Sequence, residues 1–130
     1  MKFMMMVKAA ENPNPPPKAL MEAIAKLGEE AVKAGAMVQM GGLMPTFMGG
    51  AARVRVAGGE LSVVDGPFTE AKEVVGGFAV YEVKSKAEAI EWARRFMELH
   101  KQHWPGWQGE TELRQFFDPG ACSPDSGNYR

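Results

Sequence analysis

The sequence predicts an α+β fold in which two helices and several strands build one domain. Apolar residues recur at helical spacing in two segments, strand-like runs separate those segments, and a Gly-Gly pair joins two alternating runs as in a hairpin. The chain has 130 residues, the length of a single domain. A composition of 45% hydrophobic and 24% charged residues is typical of globular proteins.

The chain begins with a strand and a helix. Residues 2–8 form a strand with apolar side chains on both faces. The proline-rich segment 12–17 cannot extend that strand, because proline lacks an N–H and restricts its neighbour. Residues 18–34 show helical spacing of apolar side chains, and Gly35 fits the position that follows a helix.

A broken strand and a hairpin follow. Residues 36–44 are strand-like, and Gly41-Gly42 indicates either a bulge or a close approach of the backbone. Residues 53–56 and 61–64 alternate at period two across Gly58-Gly59, which predicts a hairpin.

The last part of the domain repeats the order strand, helix, strand. Residues 77–84 form a strand that is apolar on both faces. Ser85 and Glu88 make a capping box that starts a helix extending to about Leu99. Residues 111–117 form the final strand.

This order of elements is typical of a ferredoxin-like βαββαβ fold with an inserted β-hairpin. Two helices cover only one face of its sheet, whereas two of the strands are apolar on both faces. We therefore expect a partner's sheet to cover the second face, in a homodimer with two-fold symmetry. Residues 1–117 form this domain, and residues 118–130 form an extended C-terminal tail with few apolar side chains.

Charge and cysteine content exclude several kinds of partner. With 15 Lys and Arg against 16 Asp and Glu, the net charge of −1 predicts no binding of nucleic acid or of an anionic membrane. Cys122 is the single cysteine, which excludes an internal disulfide and fits a cytoplasmic location. The first apolar run ends at Lys8, too early for a signal peptide.

No Walker, Rossmann or Gly-x-Ser-x-Gly motif occurs, so we predict no cofactor.

The ten methionines are concentrated in the first part of the chain and leave two interpretations open. Methionine is a flexible and polarisable filler, so it suits both a packed core and an adaptable ligand pocket. Core packing is the more common role of a buried methionine and is the role we expect here.

The segment 65–78 combines a tight turn with several charges. Gly66 and Pro67 fix a turn after a hairpin strand, so Asp65 is held at a strand end where side chains of several strands can converge. Alternatively, Asp65 only caps its own turn. Three charged residues follow closely enough to form a local network: Glu70, Lys72 and Glu73.

This segment resembles the DGPF branch of the YCII-related family, whose signature reads Asp-Gly-Pro-Phe, then Glu, Lys-Glu, and Gly-Gly-Phe before a strand. The matching residues are Asp65, Gly66, Pro67, Phe68, Glu70, Lys72, Glu73, Gly76, Gly77 and Phe78. The resemblance covers about residues 1–117 and includes the Val-Arg-Val run at residues 54–56 and Trp92. It implies a ferredoxin-like protomer in a dimeric α+β barrel. YciI-like relatives further suggest a cleft lined by a His and an Asp.

Two functions remain open at this stage. In the first, the protein is a small-molecule enzyme with Asp65 as general acid or base, desolvated by Phe68 and methionine side chains. Its substrate pocket would be formed by the signature residues Gly66, Pro67, Phe68, Glu70, Lys72 and Glu73. In the second, the same cleft belongs to a ligand-binding or regulatory homodimer without catalysis.

The two histidines are further candidates for chemistry. His100 and His103 lie three residues apart near a helix C-terminus, where a general base or a pair of ligands can sit and where the helix dipole favours the imidazolium form. Two ligands do not make a metal site, and no third ligand accompanies them at useful spacing, so we predict no metal.

Two pairs of side chains carry alternative interpretations. Trp104 and Trp107 flank a Pro-Gly turn and either stack on a ligand or close an edge of the core. Arg53 and Arg55 either hold an anionic group or belong to a solvated face of the hairpin.

Overall fold

Strands and helices follow one another in the predicted order in the computed structural model, which describes residues 1–117. The elements are β1 (Lys2–Ala9), α1 (Lys18–Lys33), β2 (Met37–Gly42), β3 (Ala52–Ala57), β4 (Glu60–Asp65), β5 (Val74–Glu82), α2 (Lys86–His103) and β6 (Glu110–Gln115), with a short 3-10 helix at Thr46–Met48. The predicted tail, with Cys122, lies outside the described residues.

Four of the strands form one sheet in the order β2-β5-β1-β6, and all three pairings are antiparallel. Helix α1 joins β1 to β2 with β5 lying between them, and α2 joins β5 to β6 with β1 between them. Strands β3 and β4 pair separately as the predicted hairpin. The α+β prediction is therefore confirmed.

The core lies between the helices and one face of the sheet. Its buried residues are Phe3, Met5, Ala36, Ala79, Tyr81, Val83, Ala89 and Ala93. The register places Phe3 opposite Tyr81 and Met5 opposite Ala79, so these side chains share the helix-covered face. Met4, Met6, Phe78 and Val80 point to the other face.

Local signals in the sequence mark the end of α1 and the start of α2. The Ser85 hydroxyl accepts from the Glu88 amide at 3.1 Å, as the capping box predicts. Gly35 follows α1 with a φ of 72°, a conformation that glycine adopts without strain. An ion pair between Arg95 and Glu30 joins the two helices. No helix among residues 1–117 is long and apolar enough to cross a bilayer.

Gly41 marks a close approach rather than a bulge. The irregularity of β2 falls between Met37 and Gln39. A Cβ added to Gly41 would lie 3.1 Å from the Phe78 ring, so glycine makes room for that aromatic side chain. Of the two interpretations, close approach is correct because the neighbouring strand carries a large side chain at this position.

The hairpin of β3 and β4 has one apolar face that is open to solvent. Cross-strand pairing sets Val54 against Val63 and Val56 against Leu61 on this face. Their exposed fractions are 72% for Val54, 69% for Val63, 70% for Val56 and 75% for Leu61. A contiguous set of this kind differs from the scattered exposed apolar residues of ordinary surfaces and indicates an interaction surface. We call it the hairpin face.

Candidate functional site

A cavity of about 710 Å³ lies between the helices and the covered face of the sheet. We call it the helix–sheet cleft. The sheet, α1 and α2 contribute Met5, Val7, Ala79, Tyr81, Leu20, Ile24, Leu27, Trp92, Phe96 and His100 to its lining. Residues from the loops after β1, β2 and α2 complete it. Its volume falls within the range of small-molecule sites, about 300–1,000 Å³.

Methionine is the commonest side chain of this lining. Six of the ten methionines line the cleft: Met5, Met21, Met37, Met40, Met44 and Met48. Met5 is 1% exposed and belongs to the core, whereas Met21, Met40, Met44 and Met48 are 40% to 65% exposed. The expected core role is therefore wrong for these four, which border a cavity. Flexible thioether side chains at a cavity favour an adaptable pocket.

One end of the cleft carries an aromatic wall, defined by Trp92, Phe96, His100, Trp104 and Trp107. The His100 ring centroid lies 4.7 Å from that of Phe96 and 4.5 Å from that of Trp107. Trp104 and Trp107 stack with centroids 6.1 Å apart. All three tryptophans of the chain therefore border the cleft, which supports the ligand-facing interpretation of the Trp104 and Trp107 pair.

His100 is a buried residue of the aromatic wall, at 6% exposure. Its Nδ1 lies 3.0 Å from the carbonyl oxygen of Phe96. A carbonyl only accepts, so Nδ1 carries the proton and, in the neutral ring, Nε2 is an acceptor. Burial lowers the pKa of His100, and the hydrogen bond to Phe96 opposes this effect only in part. The expectation that the helix end favours imidazolium is wrong for His100, because desolvation dominates.

His100 should make the protein less stable in mild acid. Its pKa is lowered from 6.5 by folding, so the unfolded chain binds more protons between the folded pKa and about pH 6.5. The free energy of unfolding should therefore fall as the pH drops below about 6.5. Urea unfolding between about pH 5 and 7 should show this slope in the wild type and in His103→Phe, and a reduced slope in His100→Phe. Equal slopes in both variants would contradict this assignment.

Tyr81 and Met5 form a buried polar contact beneath the cleft that the sequence did not single out. The Tyr81 hydroxyl donates to the Met5 sulfur at 3.5 Å. Burial raises the pKa of Tyr81 to about 12, so this hydroxyl keeps its proton at neutral pH. The contact with Met5 depends on the pairing of β1 with β5, which short-range patterns in the sequence do not show.

Glu11 and Thr46 also line the cleft, and they connect it to the signature segment. The Thr46 amide donates to Glu11 Oε2 at 2.6 Å, and the Thr46 hydroxyl donates to Glu11 Oε1. The same hydroxyl accepts from the Phe68 amide at 3.1 Å. One side chain thus ties together the end of β1, the loop after β2 and the signature.

Asp65 lies at the end of β4, exposed, and is not among the residues that line the cleft. The expected desolvation of its carboxyl does not occur within a single chain. The turn is closed by the Gly66 amide, which donates to the Ala51 carbonyl at 2.8 Å. A Cβ on Gly66 would lie 3.0 Å from the Thr46 carbonyl oxygen, so the close packing of this turn favours glycine. The role of Asp65 as general acid or base stays a prediction.

Two side chains of the signature segment, Phe68 and Glu70, contact Arg53 of the hairpin. The Arg53 guanidinium lies 3.8 Å from the centroid of the Phe68 ring, and Arg53 pairs with Glu70. A backbone hydrogen bond within Glu70, followed by the bond from Arg53, lowers the pKa of Glu70. Glu70 thus pairs with the hairpin rather than with Lys72. Arg53 is already engaged by protein groups, which disfavours its binding of an anion.

The remaining predicted site residues lie apart from the cleft. Lys72 and Glu73 are exposed, Pro67 is exposed within the turn, and His103 does not line the cavity. Within residues 1–117, no three His, Cys, Asp or Glu side chains lie close enough to hold a metal ion. The structure therefore brings His100 and Glu11 to one cavity and leaves Asp65 outside it.

Comparison with known proteins gives a family but no activity. Residues 1–101 match the family described as the YCII-related domain. An uncharacterized protein of Rhizobium meliloti (strain 1021) is 36% identical over 75 residues, which are 58% of this chain and 59% of that protein. The match thus spans less than two thirds of the relative's length.

Proposed function

This chain belongs to the YCII-related family, and we propose that it binds a small, largely apolar molecule in the helix–sheet cleft. The observation that carries this proposal is a cavity of about 710 Å³ lined by methionine, aliphatic and aromatic side chains with a few polar groups. Ligand sites of proteins have this size and composition. The flexible methionines suit a ligand that the pocket adapts to.

Binding is favoured over catalysis by the position of Asp65. A general acid or base must reach its substrate within hydrogen-bond distance. The exposed carboxylate lies outside the cleft lining, whereas His100 lies within it. Catalysis by Asp65 requires a second chain that completes a site around the end of β4.

We further propose a homodimer of ferredoxin-like protomers, assembled as a dimeric α+β barrel, within the DGPF branch of the family. Each helix joins two strands of the sheet that have another strand between them. This split connection is typical of a ferredoxin-like protomer and supports it here. Both helices pack on one face of the sheet, and the opposite face carries Met4 and Met6, which are only half-buried, beside the buried Val80. That face and the hairpin face are the surfaces that a second copy would cover.

Methionine methyl groups provide a direct test of ligand binding. We expect 2-methoxynaphthalene, added to protein labelled with 13C at the methionine methyls, to shift the resonances of the six methionines that line the cleft. The ring current of the probe should leave Met1, Met4, Met6 and Met97 unchanged, because they do not line the cavity.

The variant Asp65→Asn is the matched control for this titration. Because Asp65 is exposed and outside the cleft lining, the affinity of the variant should stay within about twofold of the wild type. Shifts confined to the four methionines outside the cleft, or no shifts at all, would refute binding in the cleft. A large loss of affinity in Asp65→Asn would instead restore Asp65 to the site.

A further inference from the structure

We propose that the ligand of the helix–sheet cleft is a neutral molecule with an apolar body and one hydroxyl or N–H donor, and that His100 Nε2 accepts the hydrogen bond from this donor. This inference rests on the proposed function and adds to it the chemical class of the ligand and a specificity-determining residue. Three observations carry it: the packing of the imidazole, the charges around the cleft and the engagement of Glu11 and Tyr81 by other protein groups.

Two aromatic rings pack close to the imidazole. The ring centroids of Phe96 and Trp107 lie 4.7 Å and 4.5 Å from that of His100, which limits the room for a ligand to stack on this ring. Nδ1 is bonded to the Phe96 carbonyl. Within residues 1–117, no fully buried side-chain nitrogen or oxygen lacks a hydrogen-bond partner, so Nε2, which has none, keeps part of its surface exposed. Since His100 lines the cleft, a ligand donor can meet Nε2 in the ring plane.

The charges around the cleft disfavour an anionic ligand. No lysine or arginine is among the lining residues, and Glu11 is the acidic side chain among them. A carboxylate or phosphate in the cleft would lose its hydration without gaining a cationic partner, which is costly. Burial favours the neutral form of His100, so the ring does not supply that cation near neutral pH.

Two other polar side chains of the cleft already have protein partners. Both oxygens of Glu11 accept from Thr46, so this carboxylate is committed to the loop after β2. The Tyr81 hydroxyl donates to the Met5 sulfur. His100 Nε2, by contrast, has no partner within residues 1–117, and it is an acceptor that can distinguish one apolar ligand from another.

Three probes with the same ring system test the inference: 2-naphthol, 2-methoxynaphthalene and 2-naphthoate. Near neutral pH the first has a hydroxyl donor, the second has none and the third is an anion. We expect 2-naphthol to bind about tenfold more tightly than the ether, as the loss of one hydrogen bond to a buried acceptor predicts. We expect 2-naphthoate to bind at least about tenfold more weakly than the ether. The 15N resonance of His100 Nε2 should shift with 2-naphthol only.

The variants His100→Phe and His103→Phe distinguish the loss of the hydrogen bond at Nε2 from a general effect of replacing a histidine by phenylalanine. His100→Phe should bind both neutral probes with the same affinity, and His103→Phe should keep the tenfold preference. Equal affinities of 2-naphthol and the ether for the wild type, or an unchanged 15N resonance of Nε2, would overturn the inference while cleft binding stands. Failure of the ether to bind at all would refute the proposed function instead. If His100→Phe does not fold, the 15N measurement on the wild type decides.

Discussion

Val63→Lys should convert the proposed dimer into a monomer. Val63 is 69% exposed on the hairpin face, opposite Val54 across the two strands. If a second copy covers this face, the substitution buries an unpaired ammonium group in an apolar contact. The dissociation constant of the dimer should then rise by at least about 100-fold, which is roughly 3 kcal/mol. Sedimentation equilibrium over a range of protein concentrations measures this change.

Ser62→Lys is the matched control, because it introduces the same charge one residue away. Ser62 pairs with Arg55 on the opposite face of the hairpin, so its side chain points away from the proposed contact. The dissociation constant of this variant should stay within about threefold of the wild type. The proposed dimer would be contradicted if the wild type sediments as a monomer at every concentration. It would also be contradicted if the two lysine variants have the same dissociation constant.

Leu20→Ala should cost about 3 kcal/mol of unfolding free energy, within the usual range of 2–5 kcal/mol for a buried leucine. Leu20 is 1% exposed in the first turns of α1 and is among the largest fully buried side chains. Its removal enlarges the space beside an existing cavity, where the neighbours gain no new contacts. For a domain of this size the melting temperature should fall by on the order of 10 °C.

The neighbouring residue supplies the control for this prediction. Met21 follows Leu20 on the same helix and is 50% exposed. Met21→Ala should cost less than about 1 kcal/mol, since most of its surface is already in water. Calorimetry at one fixed protein concentration should compare the variants, because association also raises the melting temperature. A loss in Met21→Ala as large as that in Leu20→Ala would contradict the burial argument.

Short-range patterns predicted most of the fold. Alternation divided the apolar side chains of β1 and β5 between the two faces of the sheet without telling which face the helices cover, and the hairpin followed from Gly58-Gly59, whose φ angles are 60° and 78°. The capping box at Ser85 located the start of α2. Each of these signals lies within a few residues of the structure that it predicts, so no knowledge of the tertiary packing is required.

The candidate site was less predictable, because its parts converge only after folding. Met5 and Trp107 line one cavity although about a hundred residues separate them in the chain. Asp65 stood out in the sequence because it belongs to a recognisable signature, yet the side chains beside it bind the hairpin instead of the cleft. Arg53 and Glu70 show the same limit, since their pairing depends on how the segment after β4 folds back on β3.

The shared hydroxyl of Thr46 has a consequence for local unfolding. It donates to Glu11 and accepts from the Phe68 amide, so the two bonds polarise and strengthen each other. We therefore expect the loop after β1, the loop after β2 and the signature segment to open together, as one unit that hydrogen exchange would detect. In that case, opening of the cavity would also loosen the signature segment.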